Sequence, residues 1–175
     1  MLINLTDVLT SEGKTEELQV PIEMTSFSNG VEEYPIVEKS PVQFRLSNME
    51  RGKARIEGSA KVVLKMNCDR CLKEVNEEIS LDFFREVFAP DELTEDTDEK
   101  SDQTFMEGYQ LNVEDLINNE ILLSLPMKVL CRSDCKGICT MCGKNLNKGE
   151  CGCDTFIPDP RMAMIKDIFN ANKEV

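Results

Sequence analysis

The run Lys53-Ala-Arg-Ile-Glu-Gly-Ser-Ala-Lys-Val-Val-Leu-Lys-Met-Asn-Cys68 decides the fold. Ile56, Gly58, Ala60, Val62, Leu64 and Met66 share one parity, while Lys53, Arg55, Glu57, Ser59, Lys61 and Lys65 share the other. Successive side chains in a strand point to opposite faces, so this period of two predicts a long antiparallel strand with one wet face. After Cys71 the alternation resumes at Val75, Ile79, Leu81 and Phe83. The two strands read as a hairpin, and Cys68-Asp-Arg-Cys71 sits in its connection.

Upstream, Val42, Phe44 and Leu46 alternate with Gln43, Arg45 and Ser47, giving another half-buried strand. Glu17–Met24 reads as a strand whose Pro21 marks an edge. Tyr34–Val37 reads as a short strand, and Ser26-Phe-Ser-Asn-Gly30 as a turn. Leu2, Ile3, Leu5, Val8 and Leu9 fit either a short strand or a helical turn.

Downstream, Asp91 to Glu107 is rich in acids and poor in apolar residues, a composition that cannot build a core; it reads as a mobile acidic loop. Asn112 is placed to cap a helix whose apolar residues are Val113, Leu116, Ile117 and Ile121, and Pro126 ends it. Pro158-Asp-Pro160 opens a last helix with Met162, Ile165, Ile168 and Phe169 on its apolar face. The expected class is α+β. An antiparallel β-rich region with a CxxC hairpin fills 1–89 and an acidic flexible loop 90–110. A helix, a cysteine-rich segment resembling zinc knuckles and a final short helix fill 111–175, all in one domain.

The chemistry concentrates in cysteine. Of 8 cysteines, Cys68 and Cys71 stand apart, and Cys131, Cys135, Cys139, Cys142, Cys151 and Cys153 crowd the C-terminal third. The chain has no histidine, so a metal held here is held by sulfur. Paired thiolates suit a tetrahedral zinc ion at roughly 2.3 Å from each sulfur. Met1–Asp7 lacks the basic start of a secretory leader, and cytosolic thiols stay reduced, which argues against disulfides. Zinc is the favoured ion; iron or an iron–sulfur cluster has the same ligands and stays as an alternative, as does a thiol redox role. The short loop between Cys139/Cys142 and Cys151/Cys153 closes at low entropic cost, and Asn145, Asn147 and Gly149 in it are turn formers. These four cysteines are therefore grouped as one structural site. Cys68, Cys71, Cys131 and Cys135 would then make a second, set against the plain reading of Cys68 and Cys71 as an unmetallated pair of small buried residues; Leu72 stands where glycine would favour a knuckle.

Composition narrows the function. At 175 residues with 41% hydrophobic and 30% charged residues, the chain is an ordinary globular protein. No apolar run reaches the ~18 residues of a membrane span. A net charge of −13 disfavours nonspecific nucleic-acid binding, since phosphate contacts need Lys and Arg. The wet strand face with Lys53, Arg55, Lys61 and Lys65 is the candidate RNA or partner face, set against the plain reading of solvated lysines on a sheet surface. No G-x-S-x-G, H-E-x-x-H or Gly-rich phosphate loop is present, and four-cysteine zinc sites are closed to substrate, so no enzyme and no small-molecule substrate are expected.

Cys131-x-x-x-Cys135-Lys-Gly-Ile-Cys139-x-x-Cys142-Gly-x-Asn-Leu-Asn147, followed by Cys151-x-Cys153, resembles the C-terminal signature of the YceD family, the large ribosomal RNA subunit accumulation proteins of bacteria and plastids. Leu64-x-x-x-Cys68-x-Arg70-Cys71, Glu120-Ile-Leu-Leu-x-Leu-Pro126 and Asp159-Pro-Arg-Met-Ala-x-Ile-Lys166 are similar to its other segments. The resemblance covers about residues 42–170 and supplies no catalytic residues. It implies a cytoplasmic, non-enzymatic factor for accumulation or maturation of large-subunit (23S) ribosomal RNA. Such a factor works through that RNA or through ribosomal or RNA-processing proteins, and the acidic charge favours the protein-mediated route. A zinc-stabilised interaction adaptor unrelated to ribosomes is the other reading.

Overall fold

A computed structural model describes residues 1–92 and 103–153. Two compact units form. One comprises Met1–Asn67 and Glu74–Val129, and the other Cys68–Lys73 and the chain from Leu130. The predicted last helix, with Met162, Ile165, Ile168 and Phe169, lies outside the described residues.

The larger unit is built on one strand. β6 (Lys53–Asn67) pairs along its full length with β7 (Glu74–Phe88), from Lys53 opposite Phe88 to Asn67 opposite Glu74. Its other edge is divided. β5 (Val42–Glu50) pairs with the first half of β6, and β4 (Glu33–Lys39) pairs beside Val62 to Leu64. β2 (Thr15–Val20) extends the sheet from β5, and β3 (Ser26–Ser28) extends it from β4. All these pairings are antiparallel. A register shift in β4 between Ile36 and Glu38 marks a bulge, a device that bends a strand. β2 is an edge strand and ends just before Pro21, which has no N–H to continue a ladder. A second, three-stranded sheet orders β1 (Leu2–Asn4), β9 (Gln110–Asn112) and β8 (Met106–Glu107).

The period of two is realised in burial. Ala54, Ile56, Ala60, Val62, Leu64 and Met66 are buried on β6, with Phe44 and Leu46 on β5 and Ile79, Leu81 and Phe83 on β7. Gly58 belongs to this inner face because the Phe83 ring, on the register-paired residue, covers it. The helices α1 (Thr6–Thr10) and α2 (Val113–Ser124) close the layer, contributing Val8, Leu9, Leu116, Ile117 and Ile121 to the same core. Burying a branched aliphatic side chain stabilises by about 1.5–3 kcal/mol, so this shared face dominates the unit's stability. The side chain of Asn112 accepts the Asp115 N–H at 3.5 Å and caps α2, and the helix stops before Pro126. A mostly antiparallel sheet backed by two helices is α+β.

Some local expectations differ from the structure. Leu2–Leu9 is both things the sequence offered, a strand and then a helical turn. Ser26–Ser28 is a strand rather than part of a turn; the turn follows, where Asn29 Oδ1 accepts the N–H groups of Val31 and Glu32 at 2.9 and 2.7 Å. Of the stretch read as an acidic loop, 93–102 lies outside the described residues. Pro90–Glu92 is a 3-10 turn, and β8 and the start of β9 occupy 106–110. Ile3, directly opposite Leu111, pairs two segments too far apart in the chain for local patterning to foresee.

Candidate metal centres

The smaller unit is organised by two turns of one design. In the first, the Cys68 N–H donates to the Lys73 carbonyl at 2.8 Å and the Leu72 N–H donates to the Cys68 carbonyl at 2.9 Å. In the second, Cys139 N–H donates to Lys144 O and Gly143 N–H donates to Cys139 O, both at 2.8 Å. Each turn needs a left-handed residue just after its second cysteine. Gly143 has φ 71°, and Leu72, a residue with a Cβ, has φ 58°. The missing glycine after Cys71 therefore did not prevent the knuckle.

The remaining cysteines arrive on loops fixed to these turns. Gly137 has φ 80°, and a Cβ there would stand 2.9 Å from the Arg70 carbonyl oxygen. That close approach lets the Ile138 N–H donate to Arg70 O at 3.0 Å while Arg70 Nη1 donates to the Cys135 carbonyl at 2.7 Å. Arg70, in the middle of the first CxxC, thus holds the Cys135–Ile138 segment from both sides. In the sequence Arg70 stands out only as part of the family motif, with no role attached.

The eight sulfurs gather in two groups: Cys68, Cys71, Cys131 and Cys135, and Cys139, Cys142, Cys151 and Cys153. Within each group the sulfurs lie within 4.8 Å of one another, and all eight cysteines are free thiols. Cys71 and Cys131 are 3.5 Å apart, and Cys68 and Cys135 3.9 Å. A tetrahedral ion with sulfur bonds of about 2.3 Å sets its ligands about 3.8 Å from each other, so the first group has the right size. Cys68, Cys71, Cys135 and Cys139 are buried, and Cys142 is exposed.

The electrostatics fit a cation. Backbone N–H groups, that of Cys131 foremost, bring the Cys68 thiol from 9.0 down to about 6. The side chain of Asn147 leads the causes that lower Cys135. In the second group the N–H groups of Cys142 and Met141 lower Cys139 to about 7. Each group also has a thiol driven the other way. Contact with the Cys71 side chain raises Cys131 to about 12, and contact with Cys142 raises Cys153 to about 12. Four clustered sulfurs resist joint ionisation because like charges repel; a divalent cation removes that penalty. Both sets would hold a metal through all four thiolates, leaving no open position for substrate.

The predicted cationic face is found on β6, in the other unit, and each of its members meets an acid of β7. Lys53 and Arg55 reach Glu86 at 2.8 and 3.1 Å, Lys61 reaches Glu78 at 3.0 Å, and Lys65 reaches Glu74 at 2.9 Å. The two cations hold the Glu86 carboxyl below its usual range, with Lys53 the larger cause. Arg55 also lies 5.7 Å from the centre of the Phe84 ring. The face is a ladder of ion pairs. A groove of about 440 Å³ on the same sheet has Glu17, Arg45, Glu57 and Asp82 as its charged lining, and no cysteine reaches it. Among the described residues no helix is long and apolar enough to cross a membrane.

Comparison with known proteins agrees with the residues just described. The family model described as large ribosomal RNA subunit accumulation protein YceD matches residues 56–169. A chloroplastic protein of Arabidopsis thaliana, named large ribosomal RNA subunit accumulation protein YCED homolog 1, is 27% identical over 150 residues, covering 70% of this chain and 46% of that protein. Uncharacterized proteins of Mycobacterium bovis and Mycobacterium tuberculosis are 31% identical over 108 residues, covering 61% of this chain and 51% of theirs. The chain spans about half the length of the curated relatives it matches. No solved structure gives a significant match. With a family match that runs from β6 through α2 and across all eight cysteines, the chain belongs to the YceD family.

Proposed function

We propose that the chain is a non-enzymatic ribosome-biogenesis factor that promotes accumulation or processing of the large-subunit (23S) ribosomal RNA. The observation that carries this is the family match, which spans both the sheet and the cysteine groups. Zinc is the ion of choice for both groups, because four thiolates at tetrahedral spacing make a closed, structural site. Its role is to supply folding energy to a small unit whose described residues add nothing to the hydrophobic core. The same closure argues against catalysis at the metal.

Contact through proteins is favoured over a direct grip on RNA. The net charge is −13, and the cations of the β6 face already have carboxylate partners, which leaves them little potential to offer phosphates. The factor acts in the cytoplasm, where reduced thiols remain available to zinc.

Deletion of the gene tests the role: mature large-subunit RNA falls relative to small-subunit RNA, and a normal ratio overturns the proposal. Pull-down of the tagged chain before and after nuclease treatment tests the route. Partners that survive nuclease support a protein-mediated role, and partners lost with the RNA overturn it. Metal analysis of the purified chain distinguishes zinc from iron, a red iron protein refuting the choice of ion.

A further inference from the structure

Asn147 belongs by sequence to one cysteine group and by contact to the other. It lies on the loop between Cys142 and Cys151, in a 3-10 turn (Leu146–Lys148) where its own N–H donates to Asn145 Oδ1 at 2.9 Å. Its Nδ2 reaches the Cys135 sulfur, in the other group, at 3.3 Å. Its Oδ1 accepts from the Lys136 N–H and from Arg132 Nη2, both at 2.8 Å. Those two partners only donate, so they fix which end of the amide is oxygen and aim the NH₂ at sulfur. The loop is further held by Leu146 N–H on the Gly137 carbonyl at 2.9 Å and by a β-bridge between Ile138 and Asn145.

We infer that Asn147 couples the two centres: closing the Cys139/Cys142/Cys151/Cys153 centre positions the loop that presents the Asn147 amide to Cys135, and so tightens metal binding at the Cys68/Cys71/Cys131/Cys135 centre. The inference rests on the reading that both centres hold metal. An N–H to sulfur bond steadies a thiolate ligand without occupying the coordination sphere. Loss of such outer partners weakens metal affinity about 10–100-fold. The coupling is reciprocal, since a linkage between two binding equilibria has one value. Asn147 is a positioning residue here; it touches a ligand and not the ion.

The test uses the full-length chain stripped of metal and titrated with Co²⁺ alone and Zn²⁺ alone, against a chromophoric chelator. Thiolate-to-cobalt bands report the sulfur environment. Cys139→Ser/Cys142→Ser leaves only the first centre, and Cys68→Ser/Cys71→Ser only the second. Expected first-centre affinities fall about 10-fold or more in Asn147→Asp, and equally in Cys139→Ser/Cys142→Ser. The combined variant falls no further. Asn147→Asp keeps the acceptor for Lys136 and Arg132, and Asn147→Ala gives the same pattern without adding charge. The second centre weakens by the same factor in Cys68→Ser/Cys71→Ser. Losses that multiply in the combined variant overturn the coupling, as does an unchanged affinity in both Asn147 variants. Failure of either centre to take up metal overturns the coupling and the metal reading together. Two centres that fill independently overturn the coupling alone.

Discussion

Leu72 is the residue most exposed to a decisive substitution. It takes the left-handed backbone, φ 58°, at the position where the second knuckle has Gly143 with φ 71°. Left-handed backbone costs a residue with a Cβ about 1–2 kcal/mol. Glycine removes that cost but gives up about 0.5–1 kcal/mol more entropy on ordering. The Leu72 side chain is 65% exposed, so truncation loses little burial. A net gain of about 0.5–1 kcal/mol remains for Leu72→Gly, or about two- to fivefold in metal affinity at the first centre. Gly143→Ala, which forces a Cβ into the same conformation, weakens the second centre by a similar factor. The assay is chelator competition on chains carrying one intact centre each. A Leu72→Gly chain that binds metal more weakly, or a Gly143→Ala chain that binds it more strongly, refutes the claim that left-handed backbone is what both knuckles require.

Further outcomes follow from the sheet and the core. Gly58→Ala puts a Cβ about 2.6 Å from Phe83 Cε2, and the ring, buried and edge-on to Phe44, must move; unfolding by denaturant should show a loss of about 1–3 kcal/mol, and an unchanged midpoint refutes the packing. Cys139→Ser/Cys142→Ser should open the chain from Cys139 onward to protease while the strands of the larger unit and the first centre's Cys131 and Cys135 keep their protection; resistance equal to wild type beyond residue 139 counts against metal as the source of folding energy. Glu120 is buried on α2, 2.6 Å from Arg85, and burial raises its carboxyl above 4.5 despite the opposing pull of Arg85. The folded state then holds this proton more tightly than the unfolded one, so its contribution is fully present below 4.5 and is lost as pH rises through the folded value. Wild type should gain stability relative to Glu120→Gln on going from pH 7 towards that range, and a difference that does not change with pH rejects burial as the cause.

Legibility in the sequence followed the range of each interaction. The β6–β7 hairpin was readable because parity repeats over residues that pair with each other, and one slipped residue would reverse every face. The α2 boundaries were readable because Asn112 and Pro126 act locally. The three-stranded sheet was not, since Leu2–Asn4 finds its partner only when the chain returns at Gln110–Asn112. At the candidate metal centres, the short loop from Cys142 to Cys151 was enough to propose one group, and the other followed from the cysteines left over. The contacts made by Arg70 and Asn147 escaped for the opposite reason. Each residue is polar, unremarkable in its own segment, and gains its role from a carbonyl or sulfur of another loop. Leu72 was misleading on a propensity argument, and two backbone hydrogen bonds of the knuckle overrode that propensity.

The charge pattern carries the last step. Counted along β6 alone, Lys53, Arg55, Lys61 and Lys65 look like a phosphate-binding stripe, and the sequence of one strand cannot say what lies beside it. The register answers: Arg55 faces Glu86 directly, while Lys53, Lys61 and Lys65 meet Glu86, Glu78 and Glu74 on the diagonal. Surface pairs of this kind add little stability, so their main effect is on potential. A phosphate approaching this face would have to displace carboxylates already in place. If direct RNA contact occurred here, Glu74→Gln, Glu78→Gln and Glu86→Gln together would strengthen RNA binding and steepen its dependence on salt, because four cations would lose their β7 carboxylates. For a factor that works through proteins, the triple substitution leaves RNA binding as weak as before and instead alters which proteins are recovered with the chain.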